Sequence, residues 1–402
     1  MTGAARLQAL LDEGVAAGVF PCAAAVVLHG GRRVFEGAAG GATSRTVFDL
    51  ASLTKILATT AAWLALWRDG ALRPETPVAQ ILPESAAGRA GITVADLLTH
   101  RAGLPAFLPL FAPVLRETPA LLEPGCPPEI RAAARVHVVT SALAVVPDAL
   151  WGARAGYSDI GFLVLGEVLA QAASRSLDAL FLDRVAGPLR VGARFHRLSS
   201  RMGPGPPVET PGPPPGGVLI APTGRTRPRE PAPGQEGLWE TIGPRPSSAG
   251  EVDDDNAWVM DGVAGHAGLF GTAADVAAFG QTVLDDWTGA GRLAPTEYWT
   301  AALRRDTVTP GSTRALGFDT RLPGDPEGSS SAGRLVGTAP PGAVGHTGFT
   351  GTSLWIDLGR ELVIALCTNR TAGPRGRAEL RIREFRPRFH DVAVEASVAA
   401  SP

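Results

Sequence analysis

Apolar residues recur at helical spacing in the first twenty positions, MTGAARLQALLDEGVAAGVF, where Leu7, Leu10, Leu11 and Val15 fall on one side of an amphipathic helix. Residues 22–29 (CAAAVVLH) and 32–37 (RRVFEG) then flank Gly30-Gly31, which predicts a hairpin of two short strands. Residues 53–68 (LTKILATTAAWLALWR) are apolar on nearly every face, the pattern of a helix buried inside the protein. A short helix is expected at 93–100 (TVADLLTH), starting at a threonine cap and stopping before Gly103 and Pro105. Helical patterns follow at 160–173 and 273–286, and strands at 352–357 and 361–368 are joined by Leu358-Gly359-Arg360. A last helix near 378–397 is expected to be interrupted at Pro387. Between 203 and 250 the chain is saturated with proline and glycine, which reads as a long loop or insertion. Strands near both ends and helices between them predict one sheet built from both termini around a mostly helical region. No internal repeat is evident.

Composition narrows the class. The 402 residues are 45% apolar and 19% charged, enough for a core of ordinary size, and aromatics at 6% leave aliphatic side chains and alanine to fill it. Gly 49 and Pro 35 together make about a fifth of the chain, against a usual ~12%, which implies long irregular connections. Lys+Arg 37 against Asp+Glu 39 is too balanced for a dedicated binder of nucleic acid or anionic membrane. Cys22, Cys126 and Cys367 are far apart with no CxxC pairing, so buried free thiols are expected rather than a zinc site or disulfides. The amino terminus lacks the basic and uninterrupted apolar segments of a secretion signal, and no long apolar run follows, so a soluble, cytoplasmic protein is expected.

One count bears on chemistry. Lysine occurs once, at Lys55, and arginine supplies every other basic residue. A chain that writes arginine wherever any cation will do keeps a lysine where an amine must be able to lose its proton. Lys55 follows Ser52 in Ser-x-x-Lys, and on a helix positions i and i+3 share a face. At the first turn of a buried helix, Ser52 would have a free backbone N–H for a developing oxyanion, and a desolvated lysine could accept the serine proton. The same spacing would also suit a capping serine with a snorkelling lysine. Tyr157-Ser158-Asp159 forms a second segment, between a Gly-rich turn and a helix, where a phenol near an ammonium could relay a proton; a buried tyrosine beside a capping Asp159 would read the same. A third, His346-Thr347-Gly348-Phe349-Thr350-Gly351, precedes a strand, and its glycines allow close approach of a ligand to the backbone.

These three segments, in this order, resemble the serine β-lactamase-like hydrolases, closest to the class C β-lactamase and family VIII carboxylesterase branch. Further matches are FDLASLTK (48–55), LLTHRAGLP (97–105), YSDIGFLVLGEVL (157–169), GVAGHAGLFGT (262–272) and GHTGFTGTSLWID (345–357), and the resemblance spans roughly 5–370. It implies an α/β (α+β) β-lactamase/transpeptidase-like fold, an antiparallel sheet flanked by terminal helices. Residues 1–75 and 260–402 would form the sheet domain and 76–259 an inserted helical domain carrying the 203–250 insertion. It also implies Ser52 as the acylated nucleophile, Lys55 and Tyr157 as the proton-handling pair with the base undecided between them, and Asp159 at the position of a substrate-contacting Asn. Backbone N–H groups of Ser52 and Phe349 would form the oxyanion hole, with His346, Thr347 and Gly348 beside the substrate.

Two departures shape the expected activity. His346 stands where a lysine usually helps bind a substrate carboxylate, and an ordinary imidazole is mostly neutral at pH 7, a loss for which arginines could compensate. Asp159 in place of Asn sets a carboxylate near Lys55, which would hold the lysine charged and shift weight to Tyr157. Esters, or small amides, are therefore expected as substrates rather than antibiotics. A D-aminopeptidase or D-Ala-D-Ala carboxypeptidase-like amidase is the alternative, and a catalytically silent binding protein a third. No metal, cofactor, nucleic acid or membrane partner is expected, and the oligomeric state is open. Asp253-Asp254-Asp255 with His266 reads as an acidic loop and a packing histidine rather than a metal site. His100 reads as a structural hydrogen-bonder, and the arginines of 370–388 as a solvated helical face.

Overall fold

The computed structural model describes residues 1–123, 125–149, 151–199, 219–229, 242–321, 332–373 and 377–399. Its strands are β1 (Ala23–His29), β2 (Arg32–Ala39), β3 (Phe48–Asp49), β4 (Arg194–Phe195), β5 (Thr226–Arg227), β6 (Arg245–Pro246), β7 (Leu269–Gly271), β8 (Asp319–Thr320), β9 (Ala343–Thr347), β10 (Ser353–Asp357) and β11 (Leu362–Thr368). Six of them form one antiparallel sheet in the order β2-β1-β11-β10-β9-β8, so the two ends of the chain do share a sheet. The hairpin β1–β2 turns at Gly30 and Gly31, both with positive φ, which glycine adopts without strain.

Strand periodicity explains why β1 and β11 read as unbroken apolar runs. Ala24 and Val26 of β1, with Val363, Ala365 and Cys367 of β11, face one core, shared with the helices Ala61–Arg68 and Ala273–Trp287. Ala23, Ala25 and Val27, with Leu362, Ile364 and Leu366, face the other, under the N-terminal helix Gly3–Ala16 and the C-terminal helix Arg377–Ala399. A sheet covered on both faces buries every residue of its central strands. A third core, around Phe111, Val138, Trp258 and Phe270, holds the helical region together.

Three expectations change. Residues 53–66 are buried as predicted, with Trp67 and Arg68 half-buried, but a 3₁₀ turn (Ala51–Leu53) and a π-helical stretch (Lys55–Thr60) precede the regular helix. The C-terminal helix runs through Pro387 without stopping. An interior proline costs about 3 kcal/mol, and here Phe385 and Phe389 anchor the helix on both sides of it, Phe385 meeting the Phe20 ring edge-on at 5.0 Å. Most of 203–250 lies outside the described residues; its described parts include the short ladder β5–β6, a regular element where none was expected. The three cysteines are buried and free.

Candidate active site

Ser52 sits in a tight turn after β3, at the foot of a cleft of about 730 Å³ between strands β8 and β9 of the sheet and the helical region. Its Oγ lies 3.0 Å from Lys55 Nζ and 2.8 Å from the Tyr157 hydroxyl. The π-helical turn buries Lys55 completely, and its ammonium donates to Ser52 Oγ, to Asp159 Oδ1 at 2.7 Å and to the His266 carbonyl at 3.2 Å. Three donors thus meet three acceptors, which fills the capacity of an ammonium. Burial pushes the Lys55 pKa down, against the pull of the Asp159 carboxylate.

Tyr157 donates to Asp159 Oδ1 at 2.9 Å, since a carboxylate can only accept. Its oxygen is then left to accept from Ser52. Desolvation, reinforced by the Asp159 charge, raises the phenol well above its ordinary range, so Tyr157 is neutral. The helix Asp159–Ala173 is capped by Ser158, not by Asp159: Ser158 Oγ accepts from Gly161 N–H at 2.9 Å. That division of labour leaves the Asp159 carboxylate free to face Lys55 and Tyr157. His100 is structural, as expected; its Nδ1 accepts the Ser158 N–H at 3.1 Å and its ring lies 4.9 Å from the Tyr157 ring.

The third segment closes the other wall. His346, Thr347, Gly348 and Phe349 all line the cleft. His346 Nδ1 lies 2.8 Å from the Thr347 carbonyl, and burial together with Lys55 and Arg314 pushes its pKa well below the ordinary value, so the imidazole is neutral. Gly348 has no room for a side chain: a Cβ there would lie 2.7 Å from the Leu50 carbonyl and 2.1 Å from Thr352 Oγ1. Thr350 Oγ1 and Thr352 Oγ1 donate to the carbonyls of Asp49 and Leu50 at 2.8 and 3.0 Å, clamping the β9–β10 turn onto the turn that carries Ser52. The Phe349 ring is exposed, between the guanidinium groups of Arg370 at 4.4 Å and Arg229 at 5.1 Å.

Several residues that sequence reasoning set aside or missed shape this site. The 253–255 run, read as an acidic loop, is drawn inward: Asp253 and Asp255 are buried, and Asp254 caps the helix Asp255–Val259 and reaches His266 Nε2 at 3.0 Å. Burial alone would raise Asp254, but His266 and Arg229 hold its carboxyl well below the ordinary range. Among the described residues no cluster of three or more His, Cys, Asp or Glu is arranged to hold a metal. Nor are all the arginines of 370–388 solvated. Arg386 is buried, donates to the carbonyls of Gly351 at 3.1 Å and Thr352 at 2.9 Å, and also bonds the Gly348 carbonyl. Arg370, just before the helix, is buried as well, and nothing in the arginine-rich sequence marks these residues as turning inward. Arg314, which pairs with Asp319 and lies 5.7 Å from the Tyr157 ring, gave no sequence signal either.

Comparison with known proteins gives a consistent pattern. The family model described as Beta-lactamase matches residues 7–386. An N-acetylmuramyl-L-alanine amidase of Bacillus subtilis (strain 168) is 29% identical over 400 residues, covering 92% of this chain and 81% of its own. Among solved structures, EstCE1, a hydrolase with promiscuous acyltransferase activity, superposes with TM-score 0.63 at 19% identity, covering 96% of this chain and 98% of its own. A D-stereospecific amidohydrolase from Streptomyces sp. superposes with TM-score 0.62 at 18% identity, over 99% of both chains.

Proposed function

The chain belongs to the beta-lactamase family of serine hydrolases, and from that membership we propose that Ser52 is the nucleophile of an acyl-enzyme reaction on a small ester or amide. The observation that carries this reading is the Ser52 Oγ held by Lys55 at 3.0 Å and by Tyr157 at 2.8 Å. The directions of the hydrogen bonds supply the proton path. Ser52 O–H points at the Tyr157 oxygen and Tyr157 O–H at Asp159. As Oγ attacks the acyl carbon, its proton passes to Tyr157 while the phenol proton moves to Asp159, so Tyr157 stays neutral. The Lys55 ammonium stabilises the charge growing on Oγ, and backbone N–H groups of Ser52 and Phe349 take the carbonyl oxygen. Reversing the relay lets Tyr157 protonate the leaving group, and water then releases the acyl group.

That last proton matters most for amides, whose amine leaves poorly without it, whereas an alkoxide or phenolate leaves more readily. The tyrosine relay and the amidase relative at 29% identity therefore favour amide substrates as a second reading beside esters. Neutral His346 offers no cation to a penicillin-type carboxylate. In a panel of p-nitrophenyl esters, D-amino-acid anilides and nitrocefin, we expect turnover of short esters and of anilides, with nitrocefin at least about 10²-fold slower, the scale of one lost charged contact. Nitrocefin turned over faster than every ester and anilide would reverse the substrate assignment.

Arg386 offers a test of the oxyanion wall. Arg386→Ala removes the guanidinium that joins the carbonyls of Gly348, Gly351 and Thr352, leaving Thr352 only its Gly348 N–H partner. Misplacing a reacting group by an ångström costs about 10²-fold, so the acylation burst is expected to slow by about that factor while Ser52 remains reactive. An unchanged burst would show that the turn holds its shape without the guanidinium.

A further inference from the structure

Asp49 ends β3 three residues before Ser52, and it is buried, 2% exposed. Its Oδ1 accepts the Ala51 N–H at 2.8 Å and its Oδ2 accepts the Asp253 N–H at 2.7 Å. Ala51 has φ +48°, a left-handed conformation that alanine seldom adopts, and the next residue is Ser52. Something must hold that strain. The Asp49 carboxylate is placed to do so, because it grips the N–H of the strained residue itself.

We propose that Asp49 is a positioning residue for the nucleophile: its ionised carboxylate keeps Ala51 left-handed, which aims Ser52 Oγ at Lys55 and Tyr157, and ties that turn to the 253–255 segment. The inference rests on the reading of Ser52 as nucleophile. The charges facing Asp49 come from two other segments. The Asp253 carboxylate opposes its ionisation and the Arg227 guanidinium favours it. Beyond them, Glu251 lies 3.7 Å from Arg227, and Arg229 lies 3.7 Å from Asp253 and 3.5 Å from Asp255. Burial outweighs the two N–H donors and lifts the Asp49 carboxyl to about 7. Protonation places a hydrogen on one of the two oxygens that now accept, so one of the two tethers must break.

Two pH effects of opposite sign follow. Positioning needs the carboxylate, so kcat/KM should fall as pH drops through about 7. Stability runs the other way. A carboxyl raised above its unfolded value favours the folded state while protonated, and that contribution is lost as pH rises from about 4 through 7. The experiment compares native protein, Asp49→Asn, and Asp49→Asn with Ala51→Gly, by burst kinetics on a p-nitrophenyl ester and thermal unfolding across pH 5–9. Asp49→Asn should slow acylation at least 10-fold, leave KM within two-fold, remove the acidic limb near pH 7 and flatten the slope of stability with pH. Glycine adopts the left-handed turn untethered, so Ala51→Gly in the Asp49→Asn background should recover at least three-fold of the loss. The proposal is overturned if folded Asp49→Asn keeps the native rate and acidic limb, or if Ala51→Gly restores nothing. Turnover surviving Ser52→Ala would instead remove the nucleophile reading, an outcome the Asp49 variants cannot imitate.

Discussion

Ser52→Ala is expected to abolish turnover, with a loss on the order of 10⁴–10⁶-fold in kcat, the scale seen when a serine nucleophile is removed. The variant should fold normally, because the hydroxyl is partly exposed and its partners Lys55 and Tyr157 keep Asp159 as a shared acceptor. A fluorophosphonate probe reads the nucleophile directly. Native protein should take one label on Ser52, seen by peptide mass spectrometry, and Ser52→Ala should take none. An unlabelled native protein would point to a silent binding protein on this fold, and a label elsewhere would relocate the nucleophile.

Lys55→Arg should be strongly damaging, roughly 10³-fold in acylation, the scale lost when a preorganised donor to the developing charge is misplaced. Charge is conserved in this substitution, so geometry carries the effect. The ammonium is fully buried and meets three acceptors arranged around one nitrogen. A planar guanidinium is longer and presents its donors in a flat fork. The only lysine in the chain thus occupies a slot that none of its arginines could fill. Acylation by Lys55→Arg within ten-fold of native would show that a cation of any shape suffices there.

What could be read from the sequence follows from the range of the interactions concerned. Ser-x-x-Lys was legible as a pair because residues three apart fall on one side of any helical turn, although the turn here is 3₁₀ and not α-helical. The pattern of β1 and β11, and the helix at Asp159–Ala173, were equally local. The strength of Pro387 as a breaker was overestimated, because the phenylalanines that anchor both halves of its helix lie on a face visible only once the sheet is in place. Asp253-Asp254-Asp255 misled for a related reason. Three acids in a row normally seek water, yet here Arg227, Arg229 and His266 surround them from neighbouring segments that only the fold brings together.

By itself the sequence determined the strands β1, β2, β10 and β11 and the helices at Gly3–Ala16, Asp159–Ala173 and Ala273–Trp287, since these depend on periodicity a few residues wide. Tertiary structure alone decided the rest. Ser52 and Tyr157 are 105 positions apart, and Asp49 and Asp253 are 204 apart. Which protons those groups hold depends on desolvation and on neighbouring charges, and both exist only after folding has excluded water from the cleft.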